Sequence, residues 1–148
     1  MKPHKEAVSI IVKDQNDDFL VVKRPNDPND DLAGVWGFPA VTLRDDEIEI
    51  DGVHRVASSK LGIEVNVLKR LGESTHERPK YFLRLIDYEV LVAKGTPKVP
   101  QVDTSITQYT ECKFTNDPNI LIPAAQKGSQ CTQIFLESLN VRWQAQAS

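Results

Sequence analysis

The stretch that most constrains this chain runs over residues 34–63, GVWGFPAVTLRDDEIEIDGVHRVASSKLGI. Its opening, Val35-Trp36-Gly37-Phe38-Pro39, is aromatic and β-prone and is stopped by proline, which predicts a short buried strand. Residues 51–61 predict a helix closed by Gly62, since glycine enters the left-handed conformation that ends a helix at little cost. Between strand and helix lies a loop crowded with acids: Asp45, Asp46, Glu47, Glu49 and Asp51. A strand, an acidic loop and a helix in this order frame a site for a phosphate-bearing ligand.

The flanking sequence predicts how that unit is housed. Residues 7–12 and 19–24 are apolar, β-prone runs joined through a polar turn at 14–18, the pattern of a hairpin. The acidic, proline-broken segment 25–31 predicts a loop. Residues 64–71 alternate as a strand, with Val65, Val67 and Leu68 pointing inward, and residues 72–80 read as a polar loop. Residues 81–93 form the longest β-like run, with Phe82, Arg84, Ile86, Tyr88 and Val90 on one face, and residues 106–114 alternate again. Pro118 and Pro123 limit any helix within 116–125. Ser129 caps a last helix reaching Leu139, with Cys131, Ile134, Phe135 and Leu139 along one stripe. The expected outcome is a single α+β domain over residues 1–148 with a mixed sheet, its core spanning about 6–140 and 141–148 forming a frayed tail anchored by Trp143.

Composition excludes several function classes. Lys and Arg number 18 against 21 Asp and Glu, a net charge of −3, which offers neither nucleic acid nor an anionic membrane surface an evident partner. Cys112 and Cys131 stand in no Cys-x-x-Cys pattern and have no zinc-type spacing with His4, His54 or His76, so they read as free thiols of a reducing compartment. The apolar run near the N-terminus is too short for a signal-peptide core or a spanning helix, so a cytoplasmic location is expected.

The residues around the loop and helix resemble the Nudix hydrolases, a MutT-like superfamily. Gly34-Val35-Trp36-Gly37-Phe38-Pro39 matches the approach to that family's signature, Glu47 stands eight positions before Arg55 as the signature requires, and Ala57, Gly62 and Ile63 fall in register. The resemblance implies the Nudix fold, a mixed β-sheet sandwiched between α-helices. The departures are as specific. Ala40 and Val41 replace glycines, and Val56, Ser59 and Lys60 replace the three glutamates of the helix.

Those three positions are related by i, i+3 and i+4, which predicts one shared helix face. Three glutamates there would hold a hard cation such as Mg²⁺ through oxygen ligands. At ~4 Å and an effective dielectric of ~20, a unit pair interacts by about 4 kcal/mol, and an ammonium would repel a divalent ion about twice as strongly. No metal site of the usual kind is therefore expected. Val56 is expected to pack inward, Ser59 to be solvated and Lys60 to complement the helix C-terminus.

Six residues are candidates for ligand contact. Arg24 closes the second strand, where MutT-like relatives often carry a phosphate-contacting arginine, and its fork suits phosphate oxygens. Trp36 alternates with Phe38 and reads either as a base-stacking surface or as core, whereas Phe38 reads as core. Glu47 and Arg55, the retained polar members of the signature, read foremost as an ion pair tying loop to helix, with ligand contact the lesser alternative. Arg78 and Lys80 flank Pro79 beside His76 and Tyr81 in the densest basic-aromatic cluster.

No catalytic residue is assigned, although Glu77 and Asp103 are open as a displaced general base. No cofactor is expected, and Mg²⁺ only if carboxylates such as Glu47 or Glu49 substitute for the lost ligands. The leading expectation is a domain that binds a nucleotide or other diphosphate-containing ligand with the usual hydrolysis lost. A divergent hydrolase using carboxylates outside the helix, and a protein-interaction module, are the alternatives; a homodimer is left open.

Overall fold

A computed structural model describes residues 2–102 and 107–144. Asp103, the start of the 106–114 strand and the last four residues of the tail lie outside that range. Among the described residues seven strands form one mixed sheet: β1 (His4–Lys13), β2 (Phe19–Lys23), β3 (Trp36–Gly37), β4 (Ala40–Thr42), β5 (Glu64–Glu77), β6 (Phe82–Lys94) and β7 (Glu111–Thr115). The order β3-β2-β1-β6-β5 places β1 at the centre, parallel to β6, while β4 pairs with β1 and β7 with β2. The helices are α1 (Glu49–Val56), continued by a π-helical turn over Ala57–Leu61, then α2 (Ile122–Gln126) and α3 (Gln130–Ser138).

The apolar run of β1 is continuous because both of its faces are covered. Val8, Ile10 and Val12 join Val53, Val56, Ala57 and Leu61 in one core beneath α1. Ala7 and Ile11 join Phe38, Phe135 and Leu136 in a second core beneath α3. Each fully buried Val, Leu or Ile contributes about 1.5–3 kcal/mol, so the two layers of packing hold the sheet between them. Helix α1 lies close on β1 because Gly52 permits it: a Cβ there would meet Leu43 Cδ2 at 2.4 Å and Val8 Cγ2 at 3.0 Å.

The predicted helix is present but begins at Glu49, and its last five residues widen into the π turn. The carbonyl of Arg55 accepts from both Ser58 Oγ (3.2 Å) and Ser59 Oγ (2.7 Å), back-bonds that compete with the backbone ladder and distort helices. Gly62 closes the turn at φ +70°, as its position predicted. A wider turn shifts the phase of everything after it, so positions 56, 59 and 60 do not behave as one stripe. Val56 is buried in the core and Ser59 is half-buried. Lys60 departs from expectation. It sits in the last turn, but its side chain is buried and its ammonium donates to the carbonyl of Thr107.

Three further readings are corrected. Residues 72–77 are strand, with Glu73 to Glu77 paired against Ile86 to Phe82, because β6 supplies the hydrogen-bond partners that a polar sequence cannot advertise. Leu68 is half exposed, since a register shift between Val67 and Lys69 interrupts the alternation. Leu139 is exposed as the cap of α3, and Leu136 takes the buried place on that helix. Trp143 packs against the α3 core as the tail's predicted anchor.

Candidate functional site

A cleft of about 890 Å³ opens along one end of the sheet, walled by β4, α1 and its π turn on one side and by the N-terminus of α3 on the other. Arg24, Arg55, Arg78 and Lys80, four of the six residues singled out from sequence, line it. So do Lys60, Tyr109 and Lys127, which sequence reasoning did not place at a ligand. Lining carboxylates among the described residues are Asp30 and Asp31.

Arg24 extends from the end of β2 and donates through Nε to Asp30 Oδ2 at 2.8 Å. Burial raises the Asp30 carboxyl, but the Arg24 bond and the Leu32 amide outweigh it, leaving the acid lowered overall. Arg78 reaches across to α3, donating to Gly128 O (2.9 Å) and Gln130 Oε1 (2.7 Å), and thereby fastens the β5–β6 turn to the helix start. Lys80 and Lys127 are exposed at the rim.

Glu47 and Arg55 form the predicted tie between loop and helix. Arg55 donates through Nε to Glu47 Oε2 and through Nη2 to Oε1, both at 2.9 Å, and also to Thr42 O at 2.7 Å. The Arg44 amide donates to Glu47 Oε1 at 2.9 Å. This fork, chiefly the Arg55 bonds, holds the Glu47 carboxyl down at about 2. Glu47 lies beside Ile48 and Glu49 in a shallow depression outside the cleft.

Trp36 does not line the cleft. It packs against the α3 core with Lys23 and Lys113 over its ring at 5.9 and 4.8 Å, while Phe38 is buried in that core as expected. Glu77 is likewise absent from the lining and pairs with Lys2.

Lys60 stands on the cleft wall between the Thr107 carbonyl and the ring of Tyr109, whose centroid is 5.2 Å from its Nζ. Tyr109 is itself fixed, accepting the Ala40 amide at 3.1 Å, and burial pushes its phenol up to about 12. Nothing local in the sequence joins residue 60 to residues 107 and 109; the registry of the signature, which makes Lys60 the replacement of a glutamate, was the available signal.

The donor set does not fit the Mg²⁺ that the fold family implies. Val56 offers no oxygen, the Ser59 hydroxyl donates to Arg55 O, and Lys60 brings a positive charge. Two carboxylates that could substitute, Glu47 and Glu49, face guanidinium groups instead. Glu47 is held by Arg55. Glu49 is met by Arg70 (3.1 Å), Arg84 (3.6 Å) and the Tyr88 hydroxyl (2.6 Å); burial raises its carboxyl, but these bonds leave it lowered overall. Among the described residues no three His, Cys, Asp or Glu side chains gather as a metal site.

Architecture and cleft together define an α+β fold in which a mixed sheet and helix α1 border a cleft lined mostly by positive side chains. The family model for the NUDIX domain matches residues 3–114, and the chain belongs to the Nudix family. Among solved structures, it is similar to the ORF135 protein of E. coli (19% identity, 92% of this chain and 91% of that one, TM-score 0.68). It is equally similar to a MutT protein from Methanosarcina mazei Go1 (19%, 94% and 95%, 0.68). A MutT NUDIX hydrolase from Burkholderia pseudomallei follows (19%, 76% and 83%, 0.63). By sequence alone no curated protein matches the chain. At these identities the neighbours speak for the fold, and this chain's own residues must speak for its chemistry.

Proposed function

We propose that this Nudix domain binds a nucleotide or another diphosphate-containing ligand in the cleft and does not hydrolyse it by the family's usual Mg²⁺ route. The observation that carries this is the sign of the cleft's charge. Arg24, Arg55, Lys60, Arg78, Lys80 and Lys127 line it against Asp30 and Asp31, in a chain whose net charge is −3. Arg24 and Arg55 have carboxylate partners, but Arg78, Lys80 and Lys127 form no ion pair among the described residues. A cleft so charged favours phosphate oxygens and disfavours a divalent cation.

The divergent-hydrolase reading requires carboxylates free to ligate, and Glu47 and Glu49 are both held by arginine. An interaction module would leave the cleft without a ligand. Two assays on the full chain separate the three readings. The first is a hydrolysis screen against nucleoside triphosphates, ADP-ribose, dinucleoside polyphosphates and NADH, with Mg²⁺ or Mn²⁺. The second is a thermal-shift panel of the same compounds. The expected result is no turnover together with a rise in Tm for at least one ligand, since a ligand that binds only the native state stabilises it. Turnover abolished by Glu47→Gln or Glu49→Gln would establish the hydrolase instead, and a panel with neither turnover nor shift would overturn ligand binding.

A further inference from the structure

We propose that the cleft holds its ligand by a free terminal phosphate, gripped between Arg78 and Lys80 of the β5–β6 turn and Lys127 of the segment joining α2 to α3. The inference rests on the proposed ligand class, and adds to it where the phosphate sits and which kind of diphosphate is taken.

The grip is built where two chain reversals meet. The Arg78 amide donates to the Tyr81 carbonyl at 2.7 Å, which closes the β5–β6 turn with Arg78 and Lys80 on either side of Pro79. Opposite, Gly128 takes φ +100° between α2 and α3, with Lys127 just before it. Arg78 Nη2 spans the gap, donating to Gly128 O at 2.9 Å and to Gln130 Oε1 at 2.7 Å. The approach is close, since a Cβ on Gly128 would stand 3.4 Å from Arg78 Nη1. Gln130 fixes the guanidinium. It is only 3% exposed, and its Nε2 donates to Ser74 O, Ser74 Oγ and Leu83 O, each at 3.1 Å, so its oxygen must face the arginine.

What holds Arg78 is neutral, so its charge is not cancelled. The two hydrogens of Nη2 are taken by the two oxygens, while Nη1 and Nε meet no acceptor among the described residues. Lys80 and Lys127 are exposed at the same end of the cleft and have no ion-pair partner among the described residues. The acid next to Arg78 in the chain, Glu77, pairs with Lys2 and is not in the cleft lining. Arg24 and Arg55, by contrast, are already met by Asp30 and Glu47. A terminal phosphate carries about −1.5 to −2 near neutral pH and presents three oxygens. A phosphate linked on both sides carries a single charge and presents two. Because attraction follows the product of the charges, three cations at one end of the cleft favour the free terminus. The second phosphorus then turns into the cleft, whose lining includes Arg24.

The test is calorimetric titration of the full chain with two base-free probes. Methyl diphosphate ends in a free phosphate, and P,P′-dimethyl diphosphate does not. The expected result is that methyl diphosphate binds tighter by about tenfold or more. Lys80→Gln/Lys127→Gln, which alters only exposed side chains, should abolish that preference. Lys94→Gln/Lys98→Gln, which removes the same charge from exposed positions outside the cleft lining, should leave it in place. Equal affinity for the two probes, or a preference that survives the loss of Lys80 and Lys127, would overturn the inference while leaving the diphosphate reading standing. A preference lost equally in the remote pair would overturn it too, as an effect of overall charge. Absence of binding by either probe would overturn both this inference and the ligand class beneath it.

Discussion

Two charged regions on either side of helix α1 behave in opposite ways. Around Arg70 of β5 and Arg84 of β6, three carboxylates meet guanidinium groups: Glu73 with Arg84 at 2.5 Å and Arg70 at 3.1 Å, Glu49 with both arginines, and Glu6 with Arg84. Hydrogen bonds from Arg84 and then Arg70 hold the exposed Glu73 carboxyl down at about 2. In the cleft, positive side chains line the wall against the two aspartates, and Lys60 replaces an acid outright. The contrast bears on the proposed function, because carboxylates that are paired with arginine are not free to hold a metal ion. Glu47, Glu49 and Glu73 are partners of arginine, and the cleft is lined mostly by positive side chains.

The largest test of this division is the Glu47–Arg55 fork. Arg55→Met leaves the sheltered Glu47 carboxylate without its partner and is expected to cost about 3–4 kcal/mol in urea unfolding. A loss below about 1 kcal/mol would mean that the fork behaves as an ordinary surface pair.

The same fork predicts an acid limb. Glu47 has a folded pKa of about 2 against an ordinary 4.5, so its stabilisation is fully present above 4.5 and is lost as pH falls towards 2. The contribution is about 2–3 kcal/mol at most. Urea midpoints of wild type and Glu47→Gln should therefore converge across that window, and parallel curves would contradict the assignment.

Asp87 sharpens the comparison from the other side, as an acid with no arginine. It is fully buried beside Ser9, which donates to its Oδ1, and among the described residues its Oδ2 has no hydrogen-bond partner. Burial pushes its carboxyl well above the ordinary 3.8, against the smaller lowering by Ser9. A raised folded value means stability that is complete below 3.8 and is lost as pH rises through the raised value. Asp87→Asn, which cannot ionise, should gain on wild type as pH rises, by about 1 kcal/mol, the scale of one buried polar mismatch. Urea midpoints that fall in parallel would refute this.

The smallest effect concerns the turn that presents Lys60. Gly62→Ala forces a side chain into φ +70° and should lower stability by about 1 kcal/mol. An unchanged urea midpoint would contradict the role of Gly62 in closing the turn.

What was legible in the sequence was what neighbours along the chain determine. The β1–β2 hairpin, the helix closed by Gly62 and the Glu47–Arg55 pair depend on short spacings, and all three are present. The mixed sheet sandwiched between helices was implied by the family resemblance and is also present. What the sequence hid depends on partners far away. The polar residues 72–77 become strand because β6 folds back on them. Lys60 is drawn inward by residues 107 and 109, and the π turn changes the phase on which its expected orientation rested. Arg78 and Lys80 both line the cleft, yet Arg78 is fastened to Gly128 and Gln130 across it, a contact no local pattern encodes.

The most direct test of the central claim is a crystal grown with pyrophosphate and soaked in MnCl₂, with the metal located by its anomalous signal. The account predicts diphosphate oxygens against the basic lining of the cleft, Arg24 and Lys80 among it, and no ion coordinated by the turn at residues 56–60. A metal ion bound there through protein oxygens, at about 2.0–2.2 Å, would contradict it.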